Sequence, residues 1–202
     1  MSHNTWLHRI ARAAIVRPLM PTGITPNQLT TVRVAAGAAA ATALAVGSGS
    51  WPAIGAGLFV FSILLDRADG DLARLTGQTS PGGHKYDLFA DSFCNAAIFV
   101  GLGIGLDDGG EGLAAIPMGI IAGASVAAIL LLVIRIERLR GARAAEIGGF
   151  MGFDPDDAML VVPAAIALGW SEQLLLAAAI GAPVFALLFV YLFRRALKDA
   201  GA

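Results

Sequence analysis

Long apolar runs separated by short polar connections dominate this chain, and they limit its possible folds more than any other feature. A helix that crosses a bilayer takes about 20 apolar residues, and runs of that order begin near residues 27, 51, 84, 113 and 172, with a shorter one over residues 157–170. In lipid every backbone N–H and C=O must be satisfied within its own segment, so each run reads as a helix. The chain is 56% hydrophobic and 14% charged over 202 residues, too apolar for a soluble domain of average composition. The expectation is an all-α integral membrane protein of about six transmembrane helices with short connections. An N-terminal amphipathic surface helix precedes them.

The charges give the orientation. Arg9, Arg12 and Arg17 precede the first run, and Arg33 lies just inside it. Arg67, Arg74 and Lys85 flank the second connection, Arg135, Arg138, Arg140 and Arg143 follow the fourth run, and Arg194, Arg195 and Lys198 close the sequence. The alternate connections, around residues 47–51, 106–112 and 170–173, carry no Lys or Arg. By the positive-inside rule both termini are cytoplasmic, as expected of a multi-pass protein of the cell (inner) membrane. A net charge of −1 gives no reason to expect a nucleic-acid partner. The single Cys94 excludes an internal disulfide and any multi-cysteine metal site, and His3, His8 and His84 have no metal-ligand spacing.

Residues 1–23 read as a cytoplasmic juxtamembrane helix, with Trp6, Leu7, Ile10, Ala14 and Ile15 near one face and the arginines off it. Arg9, Arg12 and Arg17 interrupt this stretch too often for a cleaved signal peptide. Residues 24–202 read as the transmembrane catalytic domain. Its first crossing, about residues 27–46, opens on Thr25-Pro26-Asn27, and its second runs from Trp51 to about Leu75. The third covers about 84–106, the fourth about 113–133, the fifth about 157–170 with Pro163 inside, and the sixth about 172–192.

The second and third crossings share one dense polar pattern: Asp66-x2-Asp69-Gly70-x2-Ala73-Arg74-x8-Gly83-x3-Asp87-x3-Asp91. Residues three or four apart share a helix face, so Asp66 with Asp69 and Asp87 with Asp91 form two carboxylate pairs able to face each other across a helical hairpin. Ionisable groups at membrane helices are expensive and mostly functional. Four carboxylates at one depth repel unless a cation sits among them, and all-oxygen ligands suit Mg²⁺ or Mn²⁺. A solvated helix end accounts for neither the regular gaps nor the interleaved glycines. Gly70 and Gly83 open the backbone to a close ligand, and Arg74 offers a planar fork to phosphate. Together these groups point to a pyrophosphate.

At every specified position this pattern resembles the signature of the CDP-alcohol phosphotransferases, D-x2-D-G-x2-A-R-x8-G-x3-D-x3-D. Thr25-Pro26-Asn27-Gln28-Leu29-Thr30 resembles the segment that opens the first crossing in that family, and the likeness weakens beyond the fourth. The resemblance implies metal-dependent transfer of a substituted phosphate from a CDP-linked donor to an alcohol, with release of CMP and one or two ions, Mg²⁺ or Mn²⁺, on the pyrophosphate. It makes Asp66, Asp69, Asp87 and Asp91 metal ligands and Asp91 also the general base. Asn27, Thr30, Gly70, Ala73, Arg74, Ser80 and Gly83 would then hold the CDP part.

For a chain of this length CDP-diacylglycerol is the expected donor, its tails remaining in membrane lipid. The alternative within the family is transfer from CDP-choline or CDP-ethanolamine to diacylglycerol. From another class, a divalent-metal transporter also needs carboxylates in the membrane, although such sites usually lie near the bilayer midplane. Acceptor contacts are sought in Arg135 and Arg138 and in Asp154, Asp156 and Asp157, whose carboxylates favour an unphosphorylated alcohol. Arg33 requires a carboxylate or phosphate partner. Gly101-x3-Gly105 and Gly119-x3-Gly123 permit close helix contact, with a homodimer through them as the expectation.

Overall fold

A computed structural model describes residues 6–107, 114–140 and 159–198, and all its regular elements are helical. Among the described residues, five helices are long and apolar enough to cross a membrane: α3 (Pro26–Val46), α4 (Trp51–Thr76), α5 (Pro81–Gly105), α6 (Ala115–Arg140, apolar to Ile136) and α8 (Ser171–Lys198, apolar to Arg194). The expected fifth crossing is described only in part, since residues 157 and 158 lie outside the described residues. Its described part is α7 (Val161–Ala167), seven residues long, or about 10 Å of rise against a hydrocarbon core of about 30 Å. Gly169, at φ 74°, reverses the chain directly into α8.

The N-terminal segment is a run of short helical pieces: α1 (Trp6–Ala11), a π-helical turn (Arg12–Val16), α2 (Arg17–Leu19) and a 3-10 turn (Met20–Thr22). Ala11 and Val16 are buried with Leu65, Ala68 and Leu72 of α4, so the segment docks on the protein as well as lying at its surface. Its faces divide differently from the expectation. Leu7 is buried, whereas Trp6 and Ile10, placed with it from the sequence, are 51% and 44% exposed. Residues four apart form one stripe, so Trp6 with Ile10 and Leu7 with Ala11 are neighbouring stripes that meet different surroundings.

The centre of the bundle is α3. A full capping box opens it, Thr25 accepting from the Gln28 N–H while the Gln28 side chain accepts from the Thr25 N–H. It packs along both α4 and α5, which make no comparable contact with each other. The hairpin expected from the sequence is therefore a wedge, with α3 between its arms. The apolar core, with Leu44, Phe59, Ile98, Ala122, Val162 and Leu175, draws on every helix from α3 to α8.

Candidate active site in the wedge between α4 and α5

Local sequence explains the depth of the site. The apolar stretch of α4 gives way to Asp66-Arg67-Ala68-Asp69-Gly70-Asp71, yet the helix continues to Thr76, because Gly77 at φ 70° provides the first left-handed stop. α5 begins three residues earlier than expected: Ser80 caps it by accepting from the Gly83 N–H at 3.0 Å, with Pro81 at its start. The first turns of α5 thus stand opposite the last turns of α4.

Oxygens of Asp66, Asp69 and Asp87 lie within 4.8 Å of one another. Three hard oxygen ligands from two helices fit a divalent cation. Asp91 stands outside this set and is ion-paired to Nη2 of Arg33. Arg33 thus has carboxylate partners. Its buried guanidinium also meets Asp66 at 2.7 Å and Asp87 at 3.1 Å through Nη1. Asp69, 3% exposed, accepts from the Thr30 hydroxyl at 2.6 Å. Each carboxylate of the quartet thus has a partner on α3, and Asp66 has a second in Arg67 at 2.7 Å. Burying these groups unpaired would cost several kcal/mol each.

Beside the carboxylates opens a cleft of about 160 Å³. Asn27 and Thr30 of α3 line one wall, Gly70, Ala73 and Arg74 another, and Ser80 and Gly83 the third, so all seven residues expected at the nucleotide come together. Asp69 and Asp87 form the edge shared with the carboxylate set. A Cβ on Gly83 would lie 3.1 Å from Ser80 Oγ and 3.2 Å from Asn27 Oδ1, which narrows the cleft where glycine leaves it open. Gln78, Thr79 and His84 also line it and were missed from the sequence. Only the left-handed turn at Gly77 brings Gln78 and Thr79 back over the site.

A fourth residue missed is Asp71, 1% exposed. Its Oδ1 accepts from Arg74 Nη2 at 2.6 Å, and its Oδ2 accepts from Arg12 at 3.2 Å from Nε and 3.1 Å from Nη2. It fills a position that the motif leaves unspecified, so spacing gave no signal for it.

Of the five acceptor residues, only Arg135 has a described side chain. Arg135 is exposed on α6 and does not line the cleft. Arg138 lies on α6 with its side chain outside the description, and Asp154, Asp156 and Asp157 fall outside the described residues. The glycines expected at a dimer interface are used inside the chain. A Cβ on Gly101 or Gly105 would collide with the carbonyl oxygen of Ala41 or Leu44 on α3, and one on Gly119 or Gly123 would lie 2.5 Å from the Phe99 oxygen or 2.7 Å from the Ala96 oxygen on α5.

Comparison with known proteins points to one family. A family model described as CDP-alcohol phosphatidyltransferase matches residues 23–185. No curated protein matches the chain. Among solved structures, the Mycobacterium tuberculosis phosphatidylinositol phosphate synthase PgsA1 with CDP-DAG bound is similar at 25% identity, covering 92% of this chain and 94% of that one, with a TM-score of 0.63. The same enzyme in apo form gives a TM-score of 0.64 at 25% identity over 88% and 94% of the two chains. Its complex with manganese and citrate gives 0.64 at 25% identity over 92% and 88%.

Proposed function

The chain belongs to the CDP-alcohol phosphatidyltransferase family, a multi-pass membrane phosphotransferase, and we propose that it transfers the phosphatidyl group of CDP-diacylglycerol to an alcohol. The observation that carries this reading is one cleft shared by a three-carboxylate set, a glycine-opened backbone and the Arg74 fork. The bound CDP-DAG of the 25% identical mycobacterial synthase supports the choice of donor. The positive clusters support a cytoplasmic cleft in the cell membrane, where CMP can leave to water. The location of the carboxylates, at one end of the spans beside Arg74, disfavours ion transport.

In this reading Asp66, Asp69 and Asp87, with Asp91 at their edge, hold one or two Mg²⁺ or Mn²⁺ ions. Bound there, the metal would supply charge neutralisation for the pyrophosphate. Arg74, lying over Gly70, binds a phosphate oxygen of the donor. Asn27, Thr30, Ala73, Ser80 and Gly83 hold the nucleotide part. The acceptor hydroxyl oxygen attacks the phosphorus that bears the diacylglycerol, the bond from that phosphorus to the CMP oxygen breaks, and CMP leaves with the bonding pair. Asp91 takes the hydroxyl proton. The ion pair from Arg33 orients the Asp91 carboxylate toward the wedge, and Arg33 itself offsets charge in the same place.

Residues 24–202 act as one catalytic domain, with residues 1–23 as its juxtamembrane helix, and a homodimer is part of the reading. Cross-linking in native membranes that never yields a dimer would remove that part. The acceptor is read from Arg135, Arg138 and the Asp154, Asp156 and Asp157 group. Purified protein given labelled CDP-diacylglycerol and Mn²⁺ is offered a panel of alcohols, and CMP release is expected to be fastest with an unphosphorylated one. Inositol phosphate or glycerol phosphate winning the panel overturns the acceptor choice, and no CMP release with any alcohol overturns the function.

A further inference from the structure

On the helix Asp71 lies five residues after Asp66 and two after Asp69, so it points away from the face that carries the metal set. It turns instead toward the docked N-terminal segment, where a fully buried carboxylate receives two arginines, one on each oxygen. Both arginine side chains keep 42% of their surface exposed, so the anion is internal and the cations reach outward. One carboxylate between two guanidiniums leaves a surplus of one positive charge at the edge of the cleft. A Cβ on Gly70 would lie 3.4 Å from both terminal nitrogens of Arg74, so the guanidinium lies across the bare backbone there. A side chain as long as arginine has many rotamers, and the Asp71 contact selects this one.

We propose that Asp71 is a positioning residue that aims Arg74 into the nucleotide cleft, and that Arg12 ties this aim to the docking of the N-terminal helix. The proposal rests on the reading that the cleft binds the CDP donor. Donor affinity then depends on a residue some 60 positions away from the motif, and a lipid surface that draws Arg12 off Asp71 weakens donor binding.

The test is a double-mutant cycle read in KM and kcat for CDP-diacylglycerol, at fixed Mn²⁺ and saturating acceptor. Loss of a charge-assisted contact predicts about a tenfold rise in donor KM for Arg74→Gln and for Asp71→Asn, with kcat in Asp71→Asn held within about twofold. If Asp71 works through Arg74, Asp71→Asn/Arg74→Gln is no worse than Arg74→Gln alone. Arg12→Gln raises donor KM by about threefold, as for a partly exposed ion pair. Should Asp71→Asn fail to accumulate as folded protein, the Arg12→Gln and Arg74→Gln cycle makes the same distinction, because Asp71 is then intact. Effects that multiply in the double variant, or an Asp71→Asn protein with a lowered melting temperature and unchanged donor KM, overturn the proposal alone. Unchanged donor KM in Arg74→Gln overturns the donor reading and the proposal with it.

Discussion

The two ends of α3 hold their neighbours by opposite means. Near its C-terminus backbone meets backbone: Gly101 and Gly105 of α5 let that helix rest on the carbonyls of Ala41 and Leu44, and Gly47 closes on Gly105. Near its N-terminus Thr30 and Arg33 reach out to four carboxylates on α4 and α5. The glycine end gains dispersion contacts and needs nothing further to be complete. The carboxylate end is held by charges whose partners can be shared with a cation or a phosphate. A membrane enzyme thus keeps its helices fixed at one end and its ligands exchangeable at the other.

The sharpest break of this contrast is Asp91→Asn. If Asp91 is the general base, CMP release falls by about 10²- to 10⁴-fold while the melting temperature stays near wild type. Activity that survives the change removes Asp91 from catalysis. Next in size is Arg33→Met, which leaves the carboxylates without their shared cation and is expected to cost about 3 kcal/mol in metal-free protein. Calorimetry with and without Mn²⁺ checks it: the melting point falls without metal, and the upward shift on adding Mn²⁺ exceeds that of wild type. Equal shifts in the two proteins would show that Arg33 and the metal do not share a site.

At the other end Gly101→Leu drives a side chain against the Ala41 carbonyl and is expected to cost about 2 kcal/mol, with CMP release per folded molecule unchanged. A variant that folds normally but loses turnover would show that the glycine end takes part in catalysis. The smallest effect belongs to Gly181→Ala. A Cβ there meets nothing within 4 Å in the middle of α8, so thermal stability rises by about 0.5 kcal/mol. A decrease would place another surface against that face.

Much of the site was legible because Asp66, Asp69, Asp87 and Asp91 repeat at helical spacing, and spacing determines which residues share a face. Hydropathy likewise located α3, α4, α5, α6 and α8 to within a few residues. What stayed illegible depends on which helix packs on which. Arg33 was recognisable as a charge needing a partner, but nothing local said that it would join carboxylates from two other helices. Asp71 fills an unspecified position of the motif, and only the docking of the N-terminal helix brings Arg12 to it. The glycine pairs were correctly read as close-contact surfaces, yet their partners proved to be α3 and α5 of the same chain. The fifth run was legible as a short one ending at about residue 170, where Gly169 at φ 74° turns the chain, and its expected start at residue 157 lies outside the described residues.

In the proposed mechanism Asp66, Asp69 and Asp87 hold the divalent metal on which transfer depends. The most direct measurement is the Mn²⁺ dependence of CMP release from CDP-diacylglycerol, in wild type and in Asp87→Asn. Wild type should show saturable dependence on the metal, and Asp87→Asn should either lose turnover or need at least about tenfold more Mn²⁺. Release that proceeds at full rate in chelator, or an Asp87→Asn curve that overlies wild type, would contradict it.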